Sequence, residues 1–180
     1  WQIGDPLPAN VTTFGQVVDR TVLSPYATDR ATEGDTSSEQ RQWRFNLVTG
    51  ETREESLSDR IMEFGMINGN VAGRPHRYSY NVTGKPGWFL FDGIVKHDLE
   101  RGTEERYAFG EGVFGSETPF APRLGSTGAD DGYLVTFPTD MARDCSECLV
   151  FHAQSLSEGP VARIRLPERI SSGTHACWAP

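Results

Sequence analysis

Hydrophobic and polar residues alternate in short runs along this chain, and helical periodicity is nearly absent. The runs are rich in β-branched and aromatic residues and are bounded by Gly, Pro, Asn or Asp, which is the pattern of β-strands. The predicted strands cover residues 15–22, 42–47, 52–57, 77–82, 87–91, 93–98, 104–108, 132–137, 147–153 and 161–165. The polar segments 37–42 and 143–147 are interpreted as a solvated loop and a hairpin turn. The pattern predicts an all-β protein.

A repeat made of a strand, a glycine turn and a second strand occurs three times. Gly50, Gly102 and Gly159 mark its turns, at a spacing of about fifty residues,. Glycine suits such turns because it adopts positive φ without steric cost. The spacing favours a β-propeller with one repeat per blade, and a β-sandwich with similar hairpins is the alternative. Three or four blades do not close a ring, so we expect residues 1–180 to form the C-terminal part of a single propeller domain whose N-terminal blades lie upstream of Trp1.

Charge and cysteine content narrow the class of protein. The chain has 25 acidic and 17 basic residues, a net charge of −8 and no basic cluster, which argues against binding to nucleic acid,. Neither a membrane-spanning apolar run nor a signal peptide is recognisable, and three cysteines do not form a secreted disulfide framework,. Two N-glycosylation triplets, at Asn10 and Asn81, carry little weight because such triplets arise often by chance. We therefore expect a soluble, cytoplasmic protein.

Two glutamates lie in apolar surroundings and are candidates for a buried polar site. Glu63 stands among Ile, Met and Phe, and Glu117 stands between two phenylalanines. A carboxylate in such company needs a cationic or N–H partner. His175 follows the last predicted strand and a break at Pro167, so it is either a metal ligand or a structural residue.

Each of several other polar groups could have either a structural role or a functional one. Cys145 and Cys148 have the C-x-x-C spacing and could bind zinc together with Cys177 and His175, but a plain turn is favoured because no second such motif exists. Segment 73–78, which holds two arginines, is either an anion site or a strand entry with arginine–carboxylate pairs, and the latter is favoured. His97 and His152 lie within alternating strands, where no function is expected.

Several segments together resemble the C-terminal half of the carotenoid oxygenase family, which includes lignostilbene dioxygenases and carotenoid cleavage dioxygenases. The resemblance extends over residues 73–180, and more loosely from Trp43. It rests on Gly73-Arg-Pro-His-Arg-Tyr78, Gly87-Trp-Phe-Leu-Phe91, Ser116-Glu-Thr-Pro-Phe-Ala-Pro-Arg123, Asp130-Asp-Gly-Tyr-Leu134, Gly159-Pro-Val-Ala-Arg-Ile-Arg-Leu-Pro167 and Gly173-Thr-His175 with Trp178. Singly these segments are weak, but in this order they form a specific combination.

The resemblance implies a seven-bladed β-propeller with Fe(II) on its axis, held by four histidines, under a cap that carries a substrate tunnel. His175 matches the last of these ligands. Glu63 and Glu117 match glutamates that accept hydrogen bonds from ligand imidazoles, and Phe64 matches an aromatic that lines the cavity. Asp5 is the residue nearest to the position expected for the third ligand. The remaining histidines of the chain do not fall at the family's ligand motifs.

The implied activity is that of a non-haem iron dioxygenase, an oxidoreductase. It would use O2 to cleave a conjugated C=C bond of a carotenoid, apocarotenoid or stilbene to carbonyl products. The implied partners are this hydrophobic olefin, O2 and the remaining blades, and a lipid substrate would bring the protein to a membrane surface. The alternative is a non-catalytic or truncated all-β propeller fragment that lacks a complete metal site.

Overall fold

Antiparallel β-strands make up most of the regular structure. The computed structural model describes residues 10–18, 38–85, 90–171 and 175–179, and of residues 10–18, 38 and 39 it describes the backbone. The strands are β1 (Asn10–Val18), β2 (Ser38–Asn46), β3 (Thr52–Ser56), β4 (Met62–Met66), β5 (Tyr78–Gly84), β6 (Phe91–Asp98), β7 (Thr103–Ala108), β8 (Val113–Phe114), β9 (Phe120–Pro122), β10 (Gly132–Thr136), β11 (Thr139–Asp140), β12 (Cys145–His152) and β13 (Pro160–Arg165). The prediction of an all-β protein is confirmed.

The strands form three sheets, each built from neighbouring antiparallel strands. The first sheet has the order β1-β2-β3, and the second has the order β4-β5-β6-β7. The third sheet has the order β8-β11-β12-β10-β9, and β13 pairs with β12. In the first and second sheets, strands that follow one another in sequence lie side by side, which is the up-and-down arrangement of propeller blades,. In the third sheet this holds for β9 with β10, β11 with β12 and β12 with β13.

Glycine turns lead into the outer strand of each sheet, as the repeat predicts. Gly50, Gly102 and Gly159 have φ angles of 75°, 64° and 88°, and they precede β3, β7 and β13 respectively. Residues with a β-carbon rarely adopt these angles, so the turns require glycine. The three outer strands are largely exposed.

A hydrophobic core joins the second and third sheets. Tyr80 of β5 stacks on Phe120 of β9 with a distance of 5.5 Å between ring centroids. Tyr107 of β7 meets Phe151 of β12 edge to face, at 4.8 Å. The other buried members of the cluster are Ile94, Leu134, Leu149, Ala153 and Leu156. This core fixes the second sheet against the third, and both contribute to the site described below.

Helical structure in the described part of the chain is limited to two 3-10 turns, Gly69–Val71 and Leu156–Glu158. Among those residues, none belongs to a helix that is long and apolar enough to cross a membrane.

The prediction of a solvated loop at 37–42 is wrong, because β2 begins at Ser38. β2 is the central strand of its sheet and pairs with β1 on one side and β3 on the other. Gln40 and Gln42 are polar but buried, with 2% and 8% of their surfaces exposed. Gln40 donates a hydrogen bond to Ser79 Oγ at 3.2 Å. Its polarity is thus satisfied by the second sheet rather than by water.

Several other predicted boundaries also shift. The turn expected at 143–147 lies at 141–144, and residues 145–147 are already part of β12. β4 was not predicted, since its five residues include a glutamate and a glycine. The predicted strand at 15–22 is observed as far as Val18 within an earlier-starting β1, and residues 19–22 and 87–89 lie outside the described residues.

Buried polar side chains connect the first and second sheets in one line of hydrogen bonds. The Asn81 amide nitrogen donates to Gln40 Oε1 and lies 3.3 Å from His97 Nδ1. His97 Nε2 lies 3.0 Å from Glu104 Oε1, and Arg60 donates to Glu104 Oε2 at 3.0 Å. Burial lowers the pKa of His97, and the adjacent Glu104 carboxylate opposes part of that effect. The line gives the two sheets a specific relative position.

Candidate functional site

Glu117 lies on a short irregular segment between β8 and β9 whose backbone is held at both ends. The Gly115 N–H donates to Phe91 O at 2.8 Å, and the Val135 N–H donates to Pro119 O at 3.2 Å. The first bond comes from the second sheet and the second from the third sheet. Glu117 itself is buried, with 8% of its surface exposed. Both sheets therefore fix the position of this carboxylate.

The carboxylate of Glu117 contacts the C-terminal segment at His175. Its Oε2 lies 3.4 Å from His175 Nδ1 and accepts a hydrogen bond of 2.5 Å from the Ala176 N–H. The distance to the imidazole exceeds that of an ordinary N–H···O hydrogen bond, so this contact is electrostatic, and the amide is the direct donor. His175 is 78% exposed. With Nδ1 facing the carboxylate, Nε2 on the opposite side of the ring points away from it.

Phe64 packs against the same imidazole. Its ring meets that of His175 edge to face, with a centroid distance of 5.4 Å and an interplanar angle of 72°. It also meets Phe91 edge to face at 5.3 Å. Phe64 has a φ of 53°, which is unusual for a bulky residue,. The pairing of β4 with β5 is irregular between Glu63 and Met66, and such a bulge redirects a side chain,.

The structure brings three of the four predicted site residues into contact: His175, Glu117 and Phe64. Glu63 immediately precedes Phe64 on β4, is partly buried and pairs with Val82 of β5.

Segment 73–78 makes arginine–carboxylate pairs, which was the favoured interpretation. Arg77 forms a fork with Asp98, with Nε to Oδ1 at 2.8 Å and Nη2 to Oδ2 at 2.5 Å. This hydrogen bonding lowers the pKa of Asp98 to about 2. A guanidinium engaged in this way joins the entry of β5 to the end of β6 and is not an open anion site.

The zinc alternative is not supported. Cys145 and Cys148 lie on β12 and pair in register with Asp140 and Ile164. Cys177 is exposed, and burial raises the pKa of the Cys148 thiol, which disfavours the thiolate that binds metal,. In the described part of the chain no three His, Cys, Asp or Glu side chains are grouped as a metal site would require.

Two groups at this site were missed by the sequence analysis. The Ala176 N–H donates to Glu117, but every residue other than proline has such a donor, so nothing in the sequence distinguishes it,. Phe91 contacts Phe64 with its ring and Gly115 with its carbonyl. Phe91 belongs to one of the segments that carry the family resemblance, but the resemblance implied no role for this residue.

The donor set at this site fits one ligand of an Fe(II) ion and the support for that ligand. A neutral imidazole nitrogen suits Fe(II). His175 presents Nε2 on the open side and has Glu117 at Nδ1, the arrangement in which a carboxylate orients a metal-bound imidazole,. Asp5, the residue nearest to an expected further ligand position, lies outside the described residues.

Known proteins include several with sequences similar to this chain. The sequence model of the retinal pigment epithelial membrane protein family matches residues 9–180. A carotenoid 9,10(9′,10′)-cleavage dioxygenase 1 from Phaseolus vulgaris is 36% identical over 155 residues, which cover 78% of this chain and 28% of that protein. A carotenoid cleavage oxygenase from Mycobacterium tuberculosis is 31% identical over 180 residues, covering 97% of this chain and 34% of that protein.

Solved structures show the same fold. A Synechocystis apocarotenoid oxygenase mutant superposes with a TM-score of 0.84 at 25% identity, over 95% of this chain and 37% of that one. The cobalt-substituted Synechocystis enzyme gives a TM-score of 0.80 at 24% identity, over 93% of this chain and 36% of that one. The predicted fold, several blades of a β-propeller, is therefore confirmed, and the β-sandwich alternative is wrong. The chain spans about a third of the length of these relatives.

Proposed function

Because this chain belongs to the retinal pigment epithelial membrane protein family, we propose that it is part of a non-haem Fe(II) dioxygenase. The proposed reaction is the cleavage of a conjugated C=C bond by O2 to give two carbonyl products. Two of the similar proteins carry carotenoid cleavage in their names, and a third is an apocarotenoid oxygenase, which supports a carotenoid or apocarotenoid substrate. A stilbene substrate rests on the resemblance of the sequence segments.

One observation carries the proposal: the buried Glu117 carboxylate lies next to Nδ1 of an otherwise exposed His175. A carboxylate in that place keeps the proton on Nδ1 and leaves the lone pair on Nε2, the form of imidazole that binds a metal. We therefore assign His175 as an iron ligand through Nε2 and Glu117 as the residue that orients it. Iron bound there would supply the oxygen chemistry, while the protein supplies geometry.

The aromatic residues have a different role in the proposed site. Phe64 packs against the imidazole and is itself supported by Phe91, which is buried. The ring of Phe64 offers apolar surface to a hydrophobic olefin. Glu63, next to Phe64 on β4, is proposed to orient a second ligand imidazole. We propose that the other ligands and the remaining blades come from the rest of the protein.

The first experiment measures iron in the full-length protein with His175 replaced by Ala. We expect His175→Ala to lose most of the bound iron and O2 consumption with an apocarotenoid, while the far-ultraviolet circular dichroism of the β-sheets stays unchanged. The matched control is His152→Ala, since His152 is an exposed histidine on β12. Equal iron content in His175→Ala and the wild type would refute the assignment. Absence of iron from the wild type at any loading would instead favour a non-catalytic propeller.

A further inference from the structure

Two threonine hydroxyls converge on the backbone carbonyl that immediately precedes Glu117. Thr136 Oγ1 and Thr118 Oγ1 each donate a hydrogen bond of 3.2 Å to Ser116 O. Thr136 is fully buried and Thr118 nearly so, with 0% and 2% of their surfaces exposed. A buried carbonyl that accepts two donors is firmly fixed. Thr118 belongs to the same segment as Glu117, whereas Thr136 reaches it from another strand.

The end of β10 thus holds the Glu117 segment on both sides of the carboxylate. The Val135 N–H bonds to the Pro119 carbonyl, and the Thr136 hydroxyl bonds to the Ser116 carbonyl. Glu117 lies between these two anchors. Of the two, the backbone bond would survive most substitutions, but the hydroxyl bond depends on the identity of residue 136.

We propose that Thr136 is a positioning residue for the iron ligand His175 and acts through Glu117. This inference rests on the proposed function. The Thr136 hydroxyl fixes Ser116 O, the fixed backbone aims the Glu117 carboxylate, and the carboxylate holds the orientation of the imidazole. Loss of the hydroxyl leaves Ser116 O with one donor and lets the carboxylate move relative to His175 Nδ1.

The test measures the dissociation constant of Co(II), a spectroscopic substitute for Fe(II), in the full-length protein. Thr136→Val keeps the shape of the side chain and removes the hydroxyl, and we expect it to weaken binding roughly two- to tenfold. Thr136→Ser keeps the hydroxyl and should remain within about twofold of the wild type. Glu117→Gln should weaken binding roughly 10- to 100-fold. In the Glu117→Gln background, Thr136→Val should have little further effect, because its route to the metal is already broken.

Thr139→Val is the matched control for loss of a buried hydroxyl. Thr139 is buried on β11 in the same sheet, and its Oγ1 lies 2.8 Å from Ser146 Oγ, away from the Ser116 carbonyl. Its binding constant should equal that of the wild type. If Thr136→Val binds Co(II) as the wild type does, or weakens it equally with and without Glu117, the inference is refuted. If His175→Ala also binds normally, the proposed function itself fails.

Discussion

Lowering the pH from about 7.5 to about 5.5 should destabilise the protein through His97. The Asn81 amide nitrogen can only donate a hydrogen bond, so His97 Nδ1 must accept it,. The proton of the neutral ring therefore lies on Nε2, facing Glu104,. A second proton on Nδ1 would face the hydrogens of the amide. Burial already lowers the pKa of His97 below its ordinary value of 6.5.

The sign and the limit of this effect follow from proton uptake. Below about pH 6.5 the unfolded chain binds a proton at this ring while the folded chain does not, so the free energy of unfolding falls as the pH falls,. The fall continues down to the pKa of the folded state. One ring binds one proton, so the slope cannot exceed about 1.4 kcal/mol per pH unit. Asp98, Glu104 and Asp131 have lowered pKa values and lose their contributions at a lower pH.

The assay is urea unfolding followed by tryptophan fluorescence at closely spaced pH values. His97→Gln should abolish most of the slope between pH 5.5 and 7.5, and it should lower stability at about pH 7.5 by roughly 1–3 kcal/mol because buried partners lose their bonds. His152→Gln, at an exposed site, should keep the slope of the wild type. A slope that persists in His97→Gln, or a flat profile in the wild type, would refute the reasoning.

Two further substitutions test the packing of the sheets. A β-carbon at Gly93 would lie 2.6 Å from the Tyr107 carbonyl oxygen, so Gly93→Ala should lower the free energy of unfolding by about 1–3 kcal/mol,. The control is Gly69→Ala, where a β-carbon would meet no atom within 4 Å. Its free energy of unfolding should stay within about 1 kcal/mol of the wild type. Urea midpoints would measure both, and equal midpoints would contradict the clash. Phe151→Ala removes a fully buried ring and should cost about 3–5 kcal/mol in thermal or urea unfolding, against about 0.5 kcal/mol for Val48→Ala at a 79% exposed position,.

The alternation of side chains was enough to predict most of the longer strands, but it missed the first half of β2 and all of β4. Gln40 is polar and yet buried, because its amide bonds to Ser79 and Asn81 of the neighbouring sheet. A pattern that counts polar residues as exposed cannot find such a strand. β4 is short and irregular, and the positive φ of Phe64 depends on packing that no local sequence rule encodes,.

The site was predicted in part for a physical reason. Glu117 in apolar surroundings had to have a partner, and the structure supplies the Ala176 N–H and the His175 ring. The identity of the amide could not be predicted, since it depends on how the C-terminal segment returns to β8 and β9. The assignment of His175 to this place came from the family resemblance and not from periodicity.

The charge of the outer strands has a consequence for solubility. Glu and Arg make up three of the five residues of β3 and three of the six residues of β7. Charged residues at a sheet edge oppose the addition of a strand from another molecule. β13 differs, because Val161 and Ile164 are each about half exposed there. Of the outer strands β3, β7 and β13, β13 is therefore the one at which separate molecules associate most readily.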